Sequence, residues 1–148
     1  MENMERTGKK IVFTNGCFDL IHRGHIETLK RAKDLGDYLI VGLNSDLSIK
    51  KIKGKDRPIL IQSSRFEIVS AIRYVDQVIL FDDEHPFSLI RELKPHILVR
   101  GALNSWDFIA GSDFVRSYGG QVIILEHPFL DETTSSLIAR IKQSERNN

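Results

Sequence analysis

Residues 11–25 read Ile-Val-Phe-Thr-Asn-Gly-Cys-Phe-Asp-Leu-Ile-His-Arg-Gly-His, and they decide the fold. Ile11, Val12 and Phe13 form a short strand-like run, and a turn is expected at Thr14, Asn15 and Gly16. His22 and His25 follow, with Gly24 between them. Ile26, Leu29, Ala32 and Leu35 then recur at helical spacing among charged residues, which predicts an amphipathic helix. The two imidazoles therefore fall on the first turn of a helix that follows the first strand. Residues three apart share a helix face. The start of a helix already favours anions through its free N–H groups and its dipole. Two imidazole donors added there suit a polyphosphate, and Gly24 lets an anion approach the backbone closely.

Outward from this stretch, apolar runs alternate with helical patterns. Residues 38–43 are nearly continuous in hydrophobicity, as expected of a strand buried on both faces. Gly36 stops the helix before them. Asp46 is expected to cap a short helix over 47–52. Lys50, Lys51, Lys53, Lys55 and Arg57 follow as a basic segment, with Gly54 and Pro58 marking a loop. Ser63 or Ser64 is expected to cap the next helix, with Phe66, Val69 and Ile72 on one side. Further strands are expected at 78–81, 97–99 and 122–125. Helices are expected from Pro86 through Leu93, over 113–118, and over 137–142 after an opening at 133–136.

This alternation predicts an α/β fold: one Rossmann-like, doubly wound domain over 9–143, with residues 1–8 and 144–148 as flexible termini. Its five-stranded parallel sheet would take the order 3-2-1-4-5, with helices on both faces. Ligands bind such sheets at the carboxyl ends of the strands where the order reverses. That places Thr14, Asn15, Gly16, Cys17 and Phe18 beside Arg100, Gly101, Ala102 and Leu103, at the crevice where the histidine helix starts.

Composition sets bounds. The chain has 148 residues, 28% charged and 41% hydrophobic, long enough for a real core. Its formal net charge of +1 argues against a nucleic-acid partner, so phosphate affinity must come from local clustering. The single cysteine, Cys17, permits neither an internal disulfide nor a four-cysteine zinc site. Residues 1–10 lack the apolar core of a signal peptide, and no run reaches membrane-spanning length. A cytoplasmic protein without a membrane partner is expected.

Several constellations carry chemistry. His22 and His25 read as ligands of the α and β phosphates of a nucleoside triphosphate, where they would stabilise charge in the transition state. The plainer reading is two surface histidines or half of a metal site. Thr14 and the turn N–H groups are candidates for phosphate or ribose. Asp19 reads equally as a cap or as a direct contact, and Cys17 as a small packed residue. Lys50, Lys53, Arg57 and Arg65 can add positive charge, although a charge run is usually a solvated face. Thr134, Ser135 and Ser136 suit an ordinary N-cap and equally a site for the β and γ phosphates. His85, His96 and His127 each adjoin a proline and read as structural. Trp106 reads as packing rather than base stacking.

The strand, Gly-Cys-Phe-Asp and H-x-G-H together resemble the signature of the nucleotidyltransferase superfamily, the cytidylyltransferase-like enzymes. The resemblance implies transfer of a nucleotidyl group onto a phosphate with release of pyrophosphate. Lys53-Gly54-Lys55-Asp56-Arg57-Pro58 is similar to the family's Lys-Gly-x-x-Arg-Pro segment, with Arg65 matching an arginine of the next helix. Thr134-Ser135-Ser136 is similar to its Ser-Thr-Thr motif. Over about 11–141 the chain looks most like the adenylyltransferases that make ADP-heptose from D-glycero-β-D-manno-heptose 1-phosphate and ATP. The matching segments are 12–19, 35–41, 43–46, 53–58, 109–112 and 118–122. With no kinase half here, the likeness is to the stand-alone form.

This resemblance implies catalytic roles for His22, His25 and Lys53. It implies nucleotide contacts from Thr14, Asn15, Gly16, Cys17, Phe18, Gly24, Asp46, Arg100, Gly101, Thr134, Ser135 and Ser136, and substrate contacts from Arg57 and Arg65. ATP would be the co-substrate, Mg²⁺ would be held by phosphates rather than by protein ligands, and a homodimer would be usual. The segment Arg100-Gly101-Ala102-Leu103-Asn104 departs from the family's Lys-Gly-Gly-Asp-Tyr. A cytidylyltransferase for glycerol 3-phosphate or phosphoethanolamine stays open on the shared motifs, as does a non-catalytic nucleotide-binding module.

Overall fold

A computed structural model of the chain describes residues 8–101, 109–126 and 132–146. In it β1 (Ile11–Gly16), β2 (Tyr38–Asn44), β3 (Gln77–Phe81), β4 (Ile97–Gly101) and β5 (Gln121–Leu125) form one sheet, in the order β3-β2-β1-β4-β5. Every pairing is parallel: β1 with β2 and β4, β2 with β3, β4 with β5. The helices are α1 (Arg23–Asp34), α2 (Asp46–Lys53), α3 (Gln62–Ser70), α4 (Phe87–Leu93), α5 (Ser112–Ser117) and α6 (Thr134–Arg146). The expected doubly wound order is the one observed.

Strand pleating explains the two-sided core. Alternate residues point to opposite faces of a sheet. Val12, Leu39, Val41, Leu43, Ile97 and Val99 pack with Leu29 and Ala32 of α1 and Val69 of α3. Ile11, Phe13, Ile40 and Leu98 pack with Leu89, Ile90 and Leu93 of α4 and Val115 of α5. The central strands bury both faces, which is why β1 and β2 read as continuous apolar runs. Gly36 lies where the chain turns from α1 into β2. A Cβ there would stand 2.6 Å from Val12 Cγ2 and 2.8 Å from the Lys10 carbonyl, so only glycine fits beside β1.

The structure corrects several boundaries. Thr14, Asn15 and Gly16 are not a turn but the last residues of β1, held by pairing to Val41, Gly42 and Leu43. Ser45 rather than Asp46 caps α2, its hydroxyl accepting from the Ser48 N–H at 3.1 Å. Neither Ser63 nor Ser64 caps α3. They lie inside it, and its N-cap, Ile61, makes no side-chain bond. The buried side of α3 is set by Arg65 and Val69, while Phe66 is 37% exposed. The last helix starts at Thr134 and runs past the expected end to Arg146. The expectations for Ala102, Leu103, Asn104, Trp106 and His127, and for the extreme ends, fall outside the described residues.

Candidate active site

The site begins where β1 runs out. Gly16 ends the strand against the ring of Phe18, where a Cβ would meet Cε2 at 2.9 Å. Phe18 takes a left-handed φ of 50°, uncommon for a residue with a side chain. Its ring is buried and stands 5.1 Å from the His25 ring. The chain then enters α1 through a reciprocal cap. His22 is the N-cap in extended conformation, and its Nδ1 accepts the Gly24 N–H at 3.1 Å. His25 returns the favour, its Nδ1 accepting the His22 N–H at 3.1 Å. This is the logic of a capping box, built here with imidazoles where a hydroxyl and a carboxylate are usual.

The cap decides the chemistry of both rings. A nitrogen that accepts carries no proton, so each neutral imidazole holds its N–H at Nε2. Nε2–H is thus the donor edge each ring can present to the cleft. The rings stack with centroids 3.9 Å apart and planes inclined by 33°. Two donors, the start of a helix and a buried Gly24 backbone together make a place where negative charge is stabilised.

Both histidines line a cleft of about 890 Å³ at the carboxyl ends of the strands. Thr14, Asn15, Gly16, Cys17, Phe18, Gly24 and Thr28 share their wall. Arg100 and Gly101, at the end of β4, close one end. Opposite stand Asn44, Lys51, Ile52 and Lys53, with Glu84, His85 and Pro86 from the loop after β3. Lys51, Lys53 and Arg100 make the cleft cationic, against Glu84 as its one carboxylate among the described residues. Burial draws the Arg100 guanidinium down from its ordinary value. Burial also pushes the Cys17 thiol up, more than the nearby cations Lys53, Arg65 and Arg57 pull it down. At neutral pH Cys17 is therefore an uncharged thiol and a poor nucleophile.

Three expected ligands are turned elsewhere. Arg65 is fully buried, and its guanidinium donates to the carbonyls of Leu60 (2.9 Å), Cys17 (2.9 Å) and Asn44 (2.6 Å) and to Asp46 Oδ1 (2.8 Å). It ties the ends of β1 and β2 to α2 and α3 instead of reaching a substrate. Asp46, expected at the nucleotide, is the partner of that clasp. Arg57 bonds Asp19 through both the backbone carbonyl and, at 3.3 Å, Oδ2. The buried Asp19 carboxylate also accepts the N–H groups of Ile59 (2.7 Å) and Leu60 (2.9 Å), so instead of the expected local cap it ties this turn to the segment before α3. Backbone acceptors close at hand captured these arginines, a competition invisible in a basic sequence.

At the start of α6, Thr133 and Ser136 form a second reciprocal cap. Ser136 N–H donates to Thr133 Oγ1 at 3.1 Å, and Thr133 N–H to Ser136 Oγ at 2.9 Å. Thr134 Oγ1 donates to the Leu20 carbonyl at 2.9 Å, docking α6 on the turn before α1. Of this segment Thr133 lines the cleft, while Thr134 and Ser136 direct their hydroxyls to backbone. The sequence reading passed over Thr28, Asn44, Lys51, Ile52, Glu84, Pro86 and Thr133 as wall residues, and read His85 as structural. Helical spacing from Gly24 and His25 pointed to Thr28, and the rule of carboxyl ends pointed to Asn44 and to the loop after β3.

Among the described residues no helix is long and apolar enough to cross a membrane. Nor does any group of three or more His, Cys, Asp and Glu stand ready to hold a metal there.

A family model described as cytidylyltransferase-like matches residues 13–145. The bifunctional protein HldE of Gluconobacter oxydans is 47% identical over 126 residues, covering 85% of this chain and 26% of that protein. The bifunctional protein HldE of Campylobacter fetus is 46% identical over 140 residues, covering 94% of this chain and 29% of that one. The chain thus spans under a third of the length of these relatives. The crystal structure of a lipopolysaccharide core biosynthesis protein from Thermoplasma volcanium superposes with a TM-score of 0.67 at 32% identity, covering 81% of this chain and 97% of that one.

Proposed function

The chain belongs to the cytidylyltransferase-like family, and from that premise we propose that it transfers AMP from ATP to D-glycero-β-D-manno-heptose 1-phosphate, giving ADP-heptose and pyrophosphate. The carrying observation is the imidazole cap, with both Nδ1 atoms held by backbone N–H groups and both rings lining a cationic cleft. The likeness to heptose 1-phosphate adenylyltransferases along the chain supports the acceptor. The likeness to a lipopolysaccharide core biosynthesis protein supports a place for the product in lipopolysaccharide assembly.

In this reading the triphosphate lies along the start of α1. A phosphate oxygen of the acceptor attacks the α-phosphorus, and a new P–O bond forms. The bond from that phosphorus to the bridging oxygen breaks, and the electron pair leaves on pyrophosphate. The acceptor phosphate is already anionic, so neither a protein nucleophile nor a general base is required. His22 and His25 donate Nε2–H to oxygens that gain charge as phosphorus becomes five-coordinate. Lys53 and Lys51 hold phosphate oxygens from the opposite wall, and Thr14, Asn15 and Gly16 position the nucleotide with Arg100 and Gly101. Mg²⁺ on the phosphate oxygens supplies charge neutralisation, which suits its preference for phosphate and water over an all-protein cage.

The transferase domain is taken as residues 9–143, in a cytoplasmic protein without a nucleic-acid partner. Exposed Ile59, Ile61, Phe66 and Ile68 support a homodimer, which sedimentation would reveal as twice the mass of the chain.

Pyrophosphate release with Mg²⁺ tests the function, with ATP and CTP each crossed against heptose 1-phosphate and glycerol 3-phosphate. Release with ATP and heptose 1-phosphate alone is expected. Release with CTP and glycerol 3-phosphate would replace both substrates and keep the mechanism. Tight ATP binding without release in any pairing would favour a nucleotide-binding module without catalysis.

A further inference from the structure

One end of the cleft carries a charge that phosphate chemistry does not use. Glu84 lines the cleft, as do Lys51 and Lys53, and is the one carboxylate there among the described residues. Glu84 is exposed to solvent, and since triphosphate and acceptor phosphate both repel a carboxylate, a ligand group that displaces its water must be a hydrogen-bond donor. Its place in the sheet narrows the choice. Glu84 follows β3, which pairs with β2 on the side of β1 away from β4. The nucleotide takes the reversal point between β1 and β4. What lies toward β3 is then the acceptor.

The loop bearing Glu84 is built into the wall. Ser45 N–H donates to the Phe81 carbonyl at 3.0 Å. Ser48 is fully buried, donates its hydroxyl to the Asp83 carbonyl at 2.6 Å and accepts from Asn44 Nδ2 at 3.0 Å. Pro86 is buried, and its carbonyl accepts the Ile90 N–H at 2.9 Å. A continuous polar chain therefore runs from the end of β2, through α2, to the residue before Glu84. It fixes the backbone from which the carboxylate reaches the cleft.

We propose that Glu84 recognises the hydroxyl groups of a polyhydroxylated acceptor, its two oxygens accepting from neighbouring hydroxyls while Lys51 and Lys53 take the acceptor's phosphate. This rests on the acceptor being a sugar phosphate, as proposed above. A carboxylate that shares a cleft with two lysines discriminates twice. It accepts strong, charge-assisted hydrogen bonds from the sugar. It also repels a phosphate offered in the wrong direction, which points the acceptor's phosphate toward the histidine wall.

Glu84→Gln keeps the size and removes the charge, and Glu84→Ala removes both. The KM for heptose 1-phosphate is expected to rise about tenfold in the first and about a hundredfold in the second. The KM for ATP and the Mg²⁺ concentration for half activity should stay within about twofold of the parent. An unchanged acceptor KM, an equal rise for ATP, or a higher Mg²⁺ requirement would overturn the role, the last by making Glu84 a partner of the metal–nucleotide. Equilibrium titration separates this from failure of the transfer reading. With a non-hydrolysable ATP analogue present, the parent should bind heptose 1-phosphate about a hundred times tighter than inorganic phosphate, and Glu84→Ala should lose that margin. No margin in the parent, or one that Glu84→Ala keeps, overturns the role of Glu84. A margin that depends on Glu84 without any pyrophosphate release leaves Glu84 in place and sinks the transfer.

Discussion

Two basic regions of this chain look alike in sequence and behave oppositely in the fold. His22 and His25 each accept a backbone N–H at Nδ1, which puts the proton of each neutral ring on Nε2. Arg65 gives its guanidinium to carbonyls and a carboxylate inside the protein, and Arg57 turns onto Asp19. The histidine wall is a binding surface held in shape by its own cap. The arginine region is a clasp that holds that wall in place, because Arg65 grips the Cys17 carbonyl just before the histidine turn. Arg57 and Arg65 lie near a phosphate motif in sequence, yet their guanidinium groups donate to acceptors within the protein.

Arg65→Ala should give the largest effect. It removes the partner of Asp46 and leaves the carbonyls of Cys17, Asn44 and Leu60 without this donor, where a fully buried side chain had stood. Losing a buried guanidinium that serves three carbonyls and a partly exposed carboxylate should cost about 3 kcal/mol, measurable by chemical denaturation. A variant of unchanged stability with a raised KM for ATP would break the comparison and return Arg65 to the ligands.

Substitution of His22 sharpens the comparison, because cap and donor can be separated. Asn places an acceptor near Nδ1 and is among the best N-caps, so His22→Asn should hold stability close to the parent. It lacks the Nε2 donor, and kcat should fall about 10²–10³-fold. Gln places a donor near Nε2 and loses the cap, so His22→Gln should cost about 1 kcal/mol of stability and retain more activity than the Asn variant. Equal activity in the two would mean that the cap, and not the Nε2 donor, supports turnover.

The sequence spoke clearly where one signal acted alone. Each of the five strands was legible as an apolar run, β1 and β2 most plainly because they are buried on both faces. His22, Gly24 and His25 were legible because their spacing and their place after a strand both point to one end of the sheet. Contacts made across the fold were hidden. Nothing local marks Arg65 as buried, because its acceptors come from Cys17, Asn44 and Asp46 in other segments. Lys51 and Lys53 also differ little as letters, yet both stand in the cleft while Arg57 and Arg65 do not. The cap at Ser45 was misplaced by one residue, because Asp46 is an equally good capping type and only its bond to Arg65 removes it from competition.

The smallest expected effect concerns the second reciprocal cap, at Thr133 and Ser136, which has the hydrogen-bond pattern of the histidine cap without its donors. No residue of α6 is fully buried, although Leu137 and Ile138 are half-buried, and polar contacts such as Thr134 to the Leu20 carbonyl add to its attachment. Thr133→Ala and Ser136→Ala each remove one half of the box and should each cost about 1 kcal/mol or less. Thr133 lines the cleft, so its loss should also raise the KM for ATP a few-fold, by about one weak hydrogen bond. Ser136→Ala leaves the Thr133 hydroxyl in place and should leave that KM nearly unchanged. If both raise it equally, the helix start acts through its geometry, and the two caps differ in nothing but side-chain chemistry. If Thr133 alone does, the α6 cap joins the histidine cap as a phosphate-facing wall, with a hydroxyl where the other has imidazoles.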